Sequence, residues 1–208
     1  MTAYARSPAV YKELRTLLGP WFKQHGWRRA PKTDAAWVRT LDAQEELCLI
    51  FRCNPWGGGA IGGNSFHVLA QTQPPVEVVG TAVNRQADVA LCLLDSELDE
   101  LRLIQNGINA RRPSFEERDE WMREDSPVGE HTRASYKQFK GGEKPYRAGD
   151  LVTFGYYSIQ DVRLLAGFIE RHLPDVVQRF LEGRCAKPAP TPEGQAFNAR
   201  LARYTGRS

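Results

Sequence analysis

The stretch AAWVRTLDAQEELCLIFRCNPWGGGAIGGNSFHVLAQ (residues 35–71) decides the fold. It reads as three strands, 35–41, 46–53 and 64–71, joined by two connections. In ELCLIFRC (46–53), Leu47, Leu49 and Phe51 alternate with Cys48, Ile50 and Arg52. Both faces are largely apolar, which marks a central strand. DAQE (42–45) is a turn. NPWGGGAIGG (54–63) is a flexible hairpin connection. Adjacent strands with short connections predict an antiparallel meander. Gly57, Gly59 and Gly62 match G-x-G-x-x-G, but a dinucleotide site needs a helix to follow, and SFHVLA reads as strand. No G-K-S/T follows either. The glycines are expected to form a mobile loop over a binding surface, with Trp56 exposed at its base.

Helices flank this sheet in the sequence. Over 8–25, Val10, Leu14, Leu17, Leu18, Trp21 and Phe22 recur at helical spacing, with Ser7 as cap, Pro8 at the first position and Gly26 as stop. VEVVGTAV (76–83) offers a further strand. Residues 85–109 are rich in helix formers. Ser96 and Asp99 suggest a capping box there, and Leu98, Leu101, Ile104 and Ile108 share a face. PSFEERDEWMRED (113–125) reads as a short acidic helix. LVTFGYY (151–157) reads as a strand. Ser158 with Asp161 opens a second strong helix, which Pro174 is expected to kink or divide before Gly183. The expected class is α+β, an antiparallel sheet packed against N- and C-terminal helices. One domain is expected over 1–183, with loops near 54–63 and 125–148 and a loosely ordered arm over 184–208.

Composition excludes several classes. The 208 residues are 41% hydrophobic and 25% charged, with net charge +3, as in soluble domains. No apolar run approaches the ~20 residues that span a bilayer, and the first residues do not form a secretory signal. A cytoplasmic protein without membrane association is expected. Cys48, Cys53, Cys92 and Cys185 form no zinc spacing and are expected as buried free thiols. Charge is uneven. Residues 1–40 carry eight Lys/Arg against two Asp/Glu, whereas 83–130 carry six against twelve. Basic ends around an acidic middle suggest self-complementarity or a charge-steered partner surface.

Gly26, Trp27, Arg28 and Arg29 after the first helix, then Trp37 and Arg39 in an aromatic-x-Arg strand, form a recognisable pattern. TFGYYSIQDVRLLAGFIERHLPDVVQRF (153–180) adds a closing strand and helix pair. Together they resemble an uncharacterised family of bacterial domains. The resemblance covers about half the chain. The glycine-rich loop and the long middle segment depart from it. By class analogy it implies an immunity-type protein, the inhibitor that neighbours a bacterial toxin.

The sequence offers no catalytic constellation. His25, His67, His131 and His172 form no zinc-protease spacing, and no G-x-S-x-G elbow is present. His25 and His172 read as helix-end histidines. The leading expectation is a non-enzymatic protein-binding module that occludes a toxin, with no cofactor and no metal. Its contact residues would be Glu116, Glu117, Asp119, Glu120, Trp121, Glu124 and Trp56. One alternative is a nucleic-acid-associated protein using the basic segment 131–147 and the N-terminal arginines. Another is a small-molecule or nucleotide enzyme using the glycine-rich loop with Arg52, Cys53 and His67.

Overall fold

The computed structural model describes residues 5–31, 33, 35–54, 64–75, 82–111, 146–150 and 152–187. Strand β3 (Glu46–Cys53) sits at the centre of the sheet, as its two apolar faces require. It pairs antiparallel with β2 (Ala36–Thr40) on one side and β4 (Asn64–Gln73) on the other. The turn between β2 and β3 is set by Asp42, whose Oδ1 accepts the N–H groups of Gln44 and Glu45 at 2.7 and 2.9 Å. β1 (Arg28–Arg29) extends the sheet beyond β2. The far edge of β4 is shared: β5 (Arg85–Asp88) pairs with Leu69 to Thr72, and β6 (Phe154–Tyr156) with Asn64 to Phe66. All pairings among the described residues are antiparallel, and the class is α+β.

Among the described residues three helices accompany the sheet: α1 (Ser7–Gln24), α2 (Asp95–Ala110) and α3 (Ile159–Leu181). Val10, Leu14, Leu18 and Phe22 of α1 are buried, four residues apart each time. A run of rings ties helices to sheet. Phe22 stacks on Trp37 at 4.2 Å and Trp37 meets Phe51 at 5.4 Å. Phe51 meets Phe66 at 6.2 Å, and Phe66 stacks on Phe154 at 5.3 Å. Phe154 then reaches Phe168 of α3 at 6.4 Å. The opposite sheet face carries a smaller buried cluster, Ala30, Ala36, Val38, Cys48, Ile50 and Leu69.

The caps explain where the helices begin and end. Ser7 lies within α1 and does not cap it; the N-cap is Arg6, whose side chain makes no capping bond. At the other end Gly26 takes φ 77°, its N–H reaches the Lys23 carbonyl, and the Trp27 N–H reaches that of Phe22. This is a Schellman stop, sealed by Trp27 packing edge-on to Phe22 at 5.4 Å. α2 begins one residue before Ser96, and its first turn is held by Glu97, which accepts the Leu94 N–H at 2.8 Å. At α3 the expected capping box is present. Ser158 Oγ accepts from the Asp161 N–H, and Asp161 Oδ2 accepts from the Ser158 and Tyr157 N–H groups.

Three expectations are corrected. The strand beside β4 is Arg85–Asp88, inside the stretch read as helical, because pairing with a buried strand outweighs weak local propensity; residues 76–81 lie outside the described residues. Pro174 does not divide α3. It is exposed, the carbonyl it leaves unbonded belongs to exposed Glu170, and Leu173, Val176, Val177 and Phe180 continue the buried stripe past it. Cys92 and Cys185 are not free thiols but a disulfide. Cys92 lies in the 3-10 turn after β5 and Cys185 lies just past α3, so tertiary packing joins residues 93 apart in sequence. The Ala186 N–H donates to the Leu91 carbonyl alongside, fixing the first residues of the expected arm. Among the described residues no helix is long and apolar enough to cross a membrane.

Asp161 gives a pH dependence. Burial alone would raise its carboxyl, but the Ser158 and Tyr157 N–H groups, Arg111 and the Ser158 hydroxyl outweigh this and hold it below the usual value. A depressed folded pKa stabilises fully above the unfolded value near ~3.9 and is lost as pH falls through the folded one. Asp161→Asn is therefore expected to flatten the loss of urea midpoint between about pH 5 and 2. An unchanged acid profile in that variant would remove Asp161 from the effect.

Candidate functional site: a cationic groove beside the first helix

The polar side of α1 is as regular as its apolar side. Lys12, Arg15, Thr16, Gly19 and Lys23 follow helical spacing and fall on one stripe. Lys12 and Lys23 stand about 16 Å apart along the axis. The Schellman stop then reverses the chain. Trp27 turns into the core at 5% exposure, and Arg28 and Arg29 run out along the sheet edge opposite Val38 and Trp37. Between stripe and edge lies an open groove of about 590 Å³, floored by Trp27 and Trp37. Among the described residues five cationic side chains line it, Lys12, Arg15, Lys23, Arg28 and Arg29, and no carboxylate does.

The surrounding contacts define its chemistry. Arg28 reaches Glu46 Oε1 at 2.6 Å, and Glu46 is 4% exposed with its Oε2 lacking a hydrogen-bond partner. Arg29 donates to the Thr33 carbonyl at 3.4 Å. Both indole faces of the floor have neighbours: Phe22 stacks on Trp37, and the Arg39 guanidinium lies 4.9 Å above Trp27. The Trp27 Nε1–H is buried and finds no acceptor. A Cβ added at Gly19 would meet nothing within 4 Å, so the helix bank is open there. The groove is thus a positive channel with donors and no stacking platform.

No protein-family model, curated protein or solved structure matches this chain. The site therefore rests on its own geometry. Glu116, Glu117, Asp119, Glu120, Trp121, Glu124 and Trp56, expected to contact a partner, lie outside the described residues. Of the basic segment 131–147 only Tyr146 and Arg147 are described. Tyr146 packs partly buried against the core, and burial pushes its hydroxyl up. Neither residue lines the groove.

Cys53 and His67, which the enzyme alternative would need side by side, are separated by the register. Cys53 lies opposite Phe66, and His67 lies opposite Arg52. Odd and even positions point to opposite faces. Cys53 belongs to the core face with Leu47, Leu49 and Phe51, while His67 and Arg52 lie on the other face. No nucleophile–base pair arises from them. Cys48, on that other face, is also inert: burial, then the Glu46 carboxylate, push its thiol up to about 12.

The remaining histidines divide. His25 Nδ1 meets the Trp21 carbonyl at 2.8 Å at the end of α1, as expected. His172 is not at a helix end but inside α3, with Nε2 at 2.8 Å from Glu100 and Nδ1 at 3.4 Å from Glu97. Among the described residues no group of three or more His, Cys, Asp or Glu is arranged to hold a metal.

The sequence points to the N-terminal arginines but not to the groove they form with the lysines of α1. The signal was present: three cations on one stripe of the helix, then two more straight after its glycine stop.

Proposed function

We propose that the protein is a non-enzymatic binding module that recognises an anionic partner through the groove between α1 and the β1 edge. The observation that carries this reading is a concave surface whose described lining holds Lys12, Arg15, Lys23 and Arg29 and no carboxylate, with Arg28 paired to Glu46 at its edge. Such a channel focuses positive potential and accelerates encounter with a negative surface. The non-enzymatic part is supported by the separation of Cys53 and His67 onto opposite faces of the sheet. The immunity-type inhibitor implied by resemblance is one form of this reading. Its expected contact residues were acidic, whereas the described groove is basic, so a toxin occluded here would present acidic groups.

Heparin affinity chromatography tests the proposal with a generic polyanion. The intact chain is expected to be retained and to elute well above physiological salt. Gly19→Glu places a carboxylate in the open part of the groove without a clash. It is expected to elute at clearly lower salt, as is Lys12→Gln/Lys23→Gln. Elution of both variants with the parent would overturn the groove as recognition surface.

A further inference from the structure

We infer that the anionic partner is a nucleic acid, bound through one phosphodiester strand laid along the groove and read without regard to base sequence. This deepens the proposed function and rests on it. The alternative occupant of a positive groove is an acidic protein surface, and two observations disfavour it. A protein interface gains its affinity from apolar and aromatic anchors buried at its centre. The large hydrophobic side chains that stand exposed among the described residues are Val83, Leu94, Leu103 and Leu164, none of which lines the groove. The two tryptophans that do are at most 5% exposed and already packed against Phe22 and Arg39. Among the described residues the groove therefore offers charge without an exposed aromatic or large aliphatic anchor. That suffices for a phosphate backbone, whose binding is carried largely by neutralising phosphates and releasing their counterions.

The shape agrees. Cations stand on both banks, Lys12, Arg15 and Lys23 along the helix and Arg29 along the strand, with Arg28 paired to Glu46 beside it, so a chain of regularly spaced negative groups meets them in succession. Because both indoles are covered, no base stacks on them, and the stacking that single-strand binders use for base preference is missing here. Recognition of phosphate without base is the consequence.

Fluorescence anisotropy with labelled 20-nucleotide RNA and DNA of two unrelated sequences, across a salt series, tests this. About four phosphate contacts imply a log–log salt slope near −3 and a roughly 50- to 150-fold loss of affinity from 50 to 200 mM salt. The two sequences should bind within about threefold of each other, since phosphate contacts carry no sequence information. Lys12→Gln/Lys23→Gln/Arg29→Gln should reduce the slope to about −1. Lys12→Arg/Lys23→Arg should restore binding, and Lys187→Gln, outside the groove, should leave it unchanged. If heparin binds and labelled polyglutamate binds while both oligonucleotides fail, the nucleic-acid inference falls and the anionic-partner reading stands. If no polyanion binds the folded chain, both fall. Oligonucleotide binding that the triple substitution leaves intact also overturns the inference.

Discussion

Glu97→Ala is expected to destabilise the protein by about 3–5 kcal/mol, the cost of leaving a buried charge without its partner. Glu97 and Arg179 face each other between α2 and α3, with side chains 9% and 8% exposed. The Arg179 guanidinium donates to both carboxylate oxygens, at 2.8 and 2.6 Å, and its Nε donates to the Cys92 carbonyl at 2.7 Å. Glu97 also holds the Leu94 N–H at the start of α2 and sits 3.4 Å from His172 Nδ1. One carboxylate thus joins the entry of α2, the turn before it and the last third of α3. Removing it strands a guanidinium in low dielectric, where re-solvation requires α3 to lift. The double change Glu97→Leu/Arg179→Met removes both charges and should recover most of the loss. A residual cost of about 1–2 kcal/mol is expected from the Leu94 amide and the Cys92 carbonyl left unbonded. Urea unfolding of the parent, Glu97→Leu, Arg179→Met and the double variant in a double-mutant cycle measures the coupling. A single-variant loss below ~1 kcal/mol would mean that the pair behaves as a surface ion pair.

The neighbouring contacts are of that weaker kind. Glu100, 38% exposed at its side chain, meets Arg171 and His172. Burial would raise its carboxyl, but Arg171 and then His172 reverse this and lower it. Solvent screens such a group, so Glu100→Gln should cost far less than Glu97→Ala.

The legible parts of the sequence were those whose signal is local and periodic. Leu47, Leu49 and Phe51 against Cys48 and Ile50 place β3 at the centre of the sheet before any pairing is known. Ser158 and Asp161 announce the start of α3, and Gly26 the end of α1. The illegible parts depend on partners far along the chain. Four residues, RQAD, form β5 because β4 offers a free edge there, not because they favour strand. Leu94 cannot cap a helix with its own side chain, so α2 starts where Glu97 reaches back and Arg179 holds Glu97 in place. The surroundings of His172 and the separation of Cys53 from His67 are hidden for the same reason: a residue's face and neighbours are tertiary facts. The groove falls between these cases. Its helix bank is periodic and readable, whereas the bank formed by Arg28 and Arg29 exists only because a Schellman stop folds the chain back onto β2.

Loss of the bond between Cys92 and Cys185 is expected to lower stability by about 2–4 kcal/mol, since it closes a long loop in the unfolded chain. The two cysteines are 93 residues apart. Chain-entropy arguments put a closure of that length near ~4.6 kcal/mol, and native disulfides usually deliver somewhat less. The loop contains α2, β6 and α3, and the bond fastens the chain after α3 to the turn before α2. The contacts beside it persist in a variant. Arg179 still reaches the Cys92 carbonyl, and Ala186 still bonds Leu91, so Cys92→Ser/Cys185→Ser should fold with a lowered urea midpoint. Reductant should lower the parent's midpoint to that of the variant and leave the variant unmoved. Thiol counting supplies the independent readout. Denatured without reductant, the protein should expose two thiols, Cys48 and Cys53, and four after reduction. In the native state Cys48 should resist alkylation, because its thiol is buried and pushed up to about 12. Four reactive thiols in the unreduced chain, with a midpoint indifferent to reductant, would show that the pair does not form. The oxidised fraction in cells bears on compartment as well. Disulfides persist in oxidising compartments and are kept reduced in most cytosols. A fully oxidised pair in freshly trapped protein would therefore count against a cytoplasmic location, and a reduced pair would leave that location standing while making the lower stability the working one.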